Sequence, residues 1–135
     1  MRDQDQWDVL VASSDMEDRT SLLHILEGLS LNVICCSAIS QVRQVLSRQA
    51  VPLLFCDEHL TDGCYRDVLS AVKAGRKASR VVVTIRAGEW DEYLEVMRSG
   101  AFDSLRCPLH PTDVELVVLR AMREEREAMS YRMTA

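Results

Sequence analysis

The stretch "VPLLFCDEHLTDG" (residues 51–63) decides the fold. Its apolar residues Leu53 to Cys56 follow a proline and stop abruptly at Asp57 and Glu58. A short apolar run without alternation is what a strand covered on both faces requires, and Pro52 is tolerated because it stands at the start. Asp62-Gly63 then marks a turn, and Val68, Leu69 and Val72 recur at helical spacing up to Gly75. The unit is a buried strand with acids at its carboxyl end, a short loop and a helix.

The same unit recurs on either side. "WDVLVA" (7–12) reads as a strand, and Asp15 as the N-cap of a helix carrying Leu22, Leu23, Leu26 and Leu29. "LNVICC" (31–36) is a second strand, after which Ser37 or Ser40 opens a helix with Val42, Val45 and Leu46. "RVVVTI" (80–85) and "AFDSLRC" (101–107) are the last two strands. Between them "EWDEYLEVMRSG" (89–100) is a helix stopped by Gly100. A final helix runs from about Thr112 to about Met129, with Val114, Val117, Val118 and Ala121 on its apolar side. Five such units with short connections predict one α/β domain over 1–135, with its core at about 7–130. In a parallel sheet of this kind the functional crevice lies at the carboxyl ends of the strands. The residues to weigh are therefore Ser13, Ser14 and Asp15, then Asp57, Glu58 and His59, then Ile85 and Arg86, and finally Cys107 and Pro108.

Bulk properties narrow the function. A formal charge of −5 argues against nucleic acid or an anionic membrane as the main partner. No apolar stretch approaches a membrane span, and "MRDQDQWD" lacks the features of a signal peptide, so a cytoplasmic location is expected. The five cysteines are odd in number, mostly within or at the ends of apolar runs, and without C-x-x-C or zinc spacing. They read as small hydrophobes in a reducing compartment.

"LLFCDEHLTDGCYRDVL" and "MRSGAFDSLRCPLHPTDVELVV" resemble the phosphoacceptor segment and the carboxyl-terminal segment of response-regulator receiver domains, the CheY-like superfamily. The resemblance covers nearly all of the chain. It implies a flavodoxin-like (βα)5 doubly wound parallel sheet, strand order 2-1-3-4-5, in three α/β/α layers. Flavodoxin's own Ser/Thr-Gly-rich phosphate loop has no counterpart after the first strand. The resemblance also implies bacterial two-component signalling. In that family an aspartate accepts a phosphoryl group, two acids hold Mg²⁺, a lysine and a hydroxyl contact the phosphoryl oxygens, and an aromatic carries the signal outward.

Carried over residue by residue, the acceptor is Asp57, whereas the acid pair falls on Ser13 and Ser14. Counted back from Pro108, the hydroxyl position falls on Ile85, with Thr84 one residue early and facing the other side of the sheet. The lysine position falls on Cys107 and the aromatic position on Ser104. Serines are weak ligands for a hard dication, and a thiol is uncharged near neutral pH. The expectation is a degenerate receiver, not an enzyme, with no cofactor. It would act through protein–protein contacts, with weak or no phosphorylation at Asp57.

Two alternatives stand beside this expectation. One is a working phosphoacceptor that uses Mg²⁺ and is served by a histidine kinase. The other is a thiol sensor using Cys107 and Cys64 near the crevice, with Cys56 next to Asp57 but pointing the opposite way along the strand. Asp15, Glu58 and Arg86 are the remaining pocket candidates. Asp15 reads first as a helix cap, and Asp15, Asp57 and His59, the last through its carbonyl, are the weak candidates for a metal. Arg86 follows the hydroxyl position, where the family usually has a small residue; it either pairs with Asp57 or is a solvated loop arginine. On the last helix Arg120 with Glu124, and Arg123 with Glu127, are spaced for ion pairs. That helix offers a homodimer or partner surface, a histidine kinase or other signalling protein being the expected partner, and no output domain is expected after it.

Overall fold

The computed structural model describes residues 7–75, 77–86 and 90–134, the last three through their backbone. Five parallel strands form the central sheet: β1 (Asp8–Ala12), β2 (Asn32–Cys36), β3 (Leu53–Asp57), β6 (Arg80–Ile85) and β7 (Asp103–Arg106). Between β3 and β6 lies a small antiparallel arm, β4 (His59–Leu60) and β5 (Gly63–Cys64). The sheet order is β2-β1-β3-β6-β7, which is the expected 2-1-3-4-5 once the arm is set aside. The arm is absent from the sequence reading because two-residue strands carry no periodic signal. Five helices complete the chain: α1 (Met16–Gly28), α2 (Ile39–Arg48), α3 (Tyr65–Ala74), α4 (Trp90–Arg98) and α5 (Pro111–Thr134). Glu89, the expected first residue of the fourth helix, lies outside the described residues.

Strand residues alternate between two cores. Leu10, Leu54, Cys56, Val81, Val83 and Ile85 pack with Ile39 and Val42 of α2, Val68 of α3 and Val96 of α4. Val9, Val11, Leu53, Phe55 and Val82 pack with Leu22 and Leu26 of α1 and with Val114, Val117, Val118 and Ala121 of α5. Burial on both faces is why these strands have no polar alternation.

Asp15 caps α1 as the sequence indicates, accepting a hydrogen bond from the Asp18 amide at 2.9 Å. The start of α2 corrects the expectation of a serine cap. Ala38 holds the cap position, and the amides of Ile39 and Ser40 donate instead to the Asp62 carboxylate, at 2.6 and 3.1 Å. Gln41 turns back to accept from the amides of Ser37 and Ala38. At the arm's turn, a Cβ on Gly63 would collide with the Asp67 carboxylate and the Ile39 side chain, so glycine permits the close approach.

The last helix corrects two further expectations. It runs past Met129 to Thr134, and Arg120 pairs away from the helix and not with Glu124 as the spacing suggested. Arg120 reaches Asp103 at 2.5 Å and lies over the Phe102 ring. Glu124 and Glu125 face Arg80 at the start of β6, at 3.9 and 2.7 Å.

Candidate functional site: a crevice around Asp57

A crevice of about 220 Å³ opens at the carboxyl ends of β1, β3, β6 and β7, where a doubly wound sheet places its ligands. The β3–β6 ladder sets its geometry by pairing Asp57 directly with Thr84. Both residues continue the side of the sheet that carries Phe55 and Val82, toward α1 and α5. Thr84 Oγ1 donates to Asp57 Oδ1 at 2.7 Å. The hydroxyl that meets Asp57 is therefore that of Thr84, one residue before the Ile85 position counted from the sequence. Ile85 lies in the opposite core and is 3% exposed. Counting back from Pro108 crosses α4 and both its connections, whose length no ladder constrains. The same shift puts Ile85, not Arg86, directly after the hydroxyl.

Ser13 closes the other side of Asp57. It is 2% exposed, and its hydroxyl donates to Asp57 Oδ2 at 2.7 Å while lying 3.3 Å from the Asp15 amide. Each carboxylate oxygen of Asp57 thus receives one hydroxyl. Ser14 donates to the His59 carbonyl at 3.3 Å, the carbonyl that the family pattern directs at the metal position.

Arg86 does not pair with Asp57; it is an exposed loop arginine, but not an unpaired one. Its Nη2 lies 2.6 Å from Asp15 Oδ2 and 2.7 Å from Asp18 Oδ2, at the mouth of the crevice. Asp18 was not singled out from the sequence. Its signal is the three-residue spacing from Asp15, which stacks the two acids on one side of the first helical turn. Burial pushes the Asp18 carboxyl above its usual value in spite of Arg86. The Asp15 carboxyl is held below its usual value, first by the Asp18 amide and then by Arg86. Glu58 lines the same crevice, and burial, with Glu92 nearby, raises its pKa.

The remaining candidates separate. Cys107 lines the crevice where the family pattern has its lysine, and burial pushes its thiol up to about 11, away from the thiolate that redox chemistry needs. Cys56 packs in the opposite core, and Cys64 begins the turn into α3, outside the crevice lining. Ser104 lies beside Val83 on β7, and its buried hydroxyl has no hydrogen-bond partner among the described residues.

The residues present do not fit the divalent metal that the fold family implies. Both serine hydroxyls at the acid-pair positions are engaged as donors, and Arg86 already holds Asp15 and Asp18. Among the described residues no three His, Cys, Asp or Glu side chains converge in a metal-binding group.

Comparison with known proteins bears on the fold. No protein-family model matches the chain. The chain is 25% identical over 118 residues to the transcriptional regulatory protein ZraR of Escherichia coli, covering 87% of this chain and 27% of that protein. It spans about a quarter of the length of the curated relatives it matches. A response regulator receiver domain protein from Clostridium thermocellum superposes with a TM-score of 0.81 at 18% identity, over 90% of this chain and 98% of that one. The receiver domain of the sensor histidine kinase PA1611 from Pseudomonas aeruginosa, solved with magnesium coordinated in its active site cleft, superposes with a TM-score of 0.77 at 14% identity, over 85% and 96%. The chain has the flavodoxin-like fold of response-regulator receiver domains. No helix among the described residues is long and apolar enough to cross a membrane.

Proposed function

We propose that this domain is a receiver of two-component signalling that works as a pseudo-receiver. It transmits through protein contacts, and metal-dependent phosphorylation of Asp57 is weak or absent. The observation that carries this reading is the state of Asp57: both oxygens accept hydroxyls, from Ser13 and Thr84, with no lysine in the described crevice lining and serines at the two positions after β1. A phosphoryl group would add about −1.5 to −2 charge. The crevice already presents Asp15, Asp18, Asp57 and Glu58 against the single guanidinium of Arg86. That balance opposes a further anion, and the chain's own groups supply little to neutralise it.

The expected partner is a histidine kinase or another signalling protein, and a second copy through α5 is the other candidate. Leu116 and Leu119 of α5 are 60% and 52% exposed, which gives that helix an apolar surface to offer.

A phosphoacceptor reading has one observation in its favour, the retained Thr84 hydroxyl beside Asp57. Intact mass after incubation with acetyl phosphate, with and without Mg²⁺ and beside Asp57→Asn, separates the two. The pseudo-receiver gives little or no adduct. A near-stoichiometric adduct that needs both Mg²⁺ and Asp57 overturns it.

A further inference from the structure

We propose that Arg86 is the resident cation of the crevice. Its guanidinium, clasped between Asp15 and Asp18, takes the electrostatic place of a divalent metal, so that the crevice keeps its shape without one. This rests on the reading of the domain as a receiver that does not depend on metal.

The argument begins with how many carboxylates meet. Asp15 and Asp18 stand three residues apart on the first turn of α1, and Asp57 projects toward them from β3. Asp18 feels the charge of both, and also that of Glu17. Such a group of like charges at a partly dry crevice needs a counter-charge, or one of its members must take up a proton. The helix N-terminus supplies part of it through the Asp18 amide on Asp15. Arg86 supplies the rest, from the end of β6, across 68 residues of sequence.

Arginine suits this task better than an isolated surface ion pair would suggest. An exposed single pair contributes little, and the Arg86 side chain is 63% exposed. Here one nitrogen serves two carboxylates at 2.6 and 2.7 Å, and Asp18 is only 25% exposed. A guanidinium stays charged at any working pH, whereas a bound dication depends on its concentration and on several oxygen ligands. The ligand set has been reduced in parallel, since the hydroxyls of Ser13 and Ser14 point at Asp57 and at the His59 carbonyl.

The test uses the whole chain with Arg86→Gln, which removes the charge, and Arg86→Lys, which keeps it. Thermal midpoints are read in EDTA and across a Mg²⁺ titration, and Mg²⁺ binding is measured directly by calorimetry. The wild type is expected to show no Mg²⁺ response. Arg86→Gln should melt lower in EDTA, gain Mg²⁺ affinity by about tenfold or more, and recover its midpoint with the ion. Adding Asp18→Asn to Arg86→Gln should abolish that gain, and Arg86→Lys should behave as wild type. A wild type without Mg²⁺ binding, together with an Arg86→Gln variant that gains none, overturns the clasp and leaves the functional reading intact. Wild-type Mg²⁺ binding that disappears in Asp57→Asn overturns the functional reading itself.

Discussion

Thr84 and Asp57 are ladder partners on adjacent strands, and their side chains meet again at 2.7 Å above the sheet. A hydrogen bond to a charged acceptor contributes about 1.5–3 kcal/mol, and Thr84 is 5% exposed, so water replaces it poorly. Thr84→Val keeps the shape and removes the donor. It should lower the unfolding free energy by about 1.5–3 kcal/mol in urea titrations, with unchanged denaturant dependence. Ser13→Ala should act similarly. Because both donors serve one carboxylate, the double variant should depart from additivity by more than about 0.5 kcal/mol; a simple sum would show that the two bonds are independent.

Restoring the first acid should be harmful by itself. Ser13→Asp places a second carboxylate where a buried hydroxyl now donates to Asp57 at 2.7 Å. The pair would share a proton, raising the folded-state pKa, so stability is full below the ordinary carboxylate range and is lost as pH rises through the raised value. At neutral pH without metal the variant should be less stable by at least about 1.4 kcal/mol, the equivalent of one pKa unit. A melting profile flat with pH would refute this.

The Asp62 bridge makes a pH prediction of the opposite sign. Its carboxyl is held below the ordinary value of 3.8, chiefly by the Ile39 amide. The stabilisation is therefore present above that value and is lost as pH falls through the lower folded-state one. Asp62→Ala should melt lower than wild type at neutral pH, and its midpoint should fall less steeply between about pH 4 and pH 2. Parallel wild-type and variant curves would show that Asp62 does not cap α2.

Ser104→Ala is expected to be neutral or stabilising by up to about 1 kcal/mol, since a buried hydroxyl without a partner is desolvated for no return. A destabilisation above about 1 kcal/mol in chemical denaturation would mean that the hydroxyl has a partner in solution.

What the sequence revealed and what it hid follow from the range of the interactions. Leu53 to Cys56 and Val81 to Val83 read as strands because two-sided burial leaves its mark on every consecutive residue. Asp57, Ser13, Ser14 and Cys107 could be placed because each stands at or just beyond the end of a strand. Thr84 was missed because its place was counted through α4 and not taken from the ladder that joins it to Asp57. The Asp62 cap links groups 23 residues apart, and the Arg86–Asp18 contact 68 apart, so no local pattern announces either. Asp18 carried a local signal, its spacing from Asp15, but that spacing on a helix start is also what capping alone produces.

The contact between Arg80 and Glu125 has a mechanical consequence. Past Ala121 no described residue of α5 is buried, and Arg80, at the foot of β6, ties the helix to the sheet at Glu125. Residues 126–134 extend beyond it, about 13 Å of helix at the usual rise. A bend of about 10° at Glu125 would displace the last turn by about 2 Å and leave Val114 in its core.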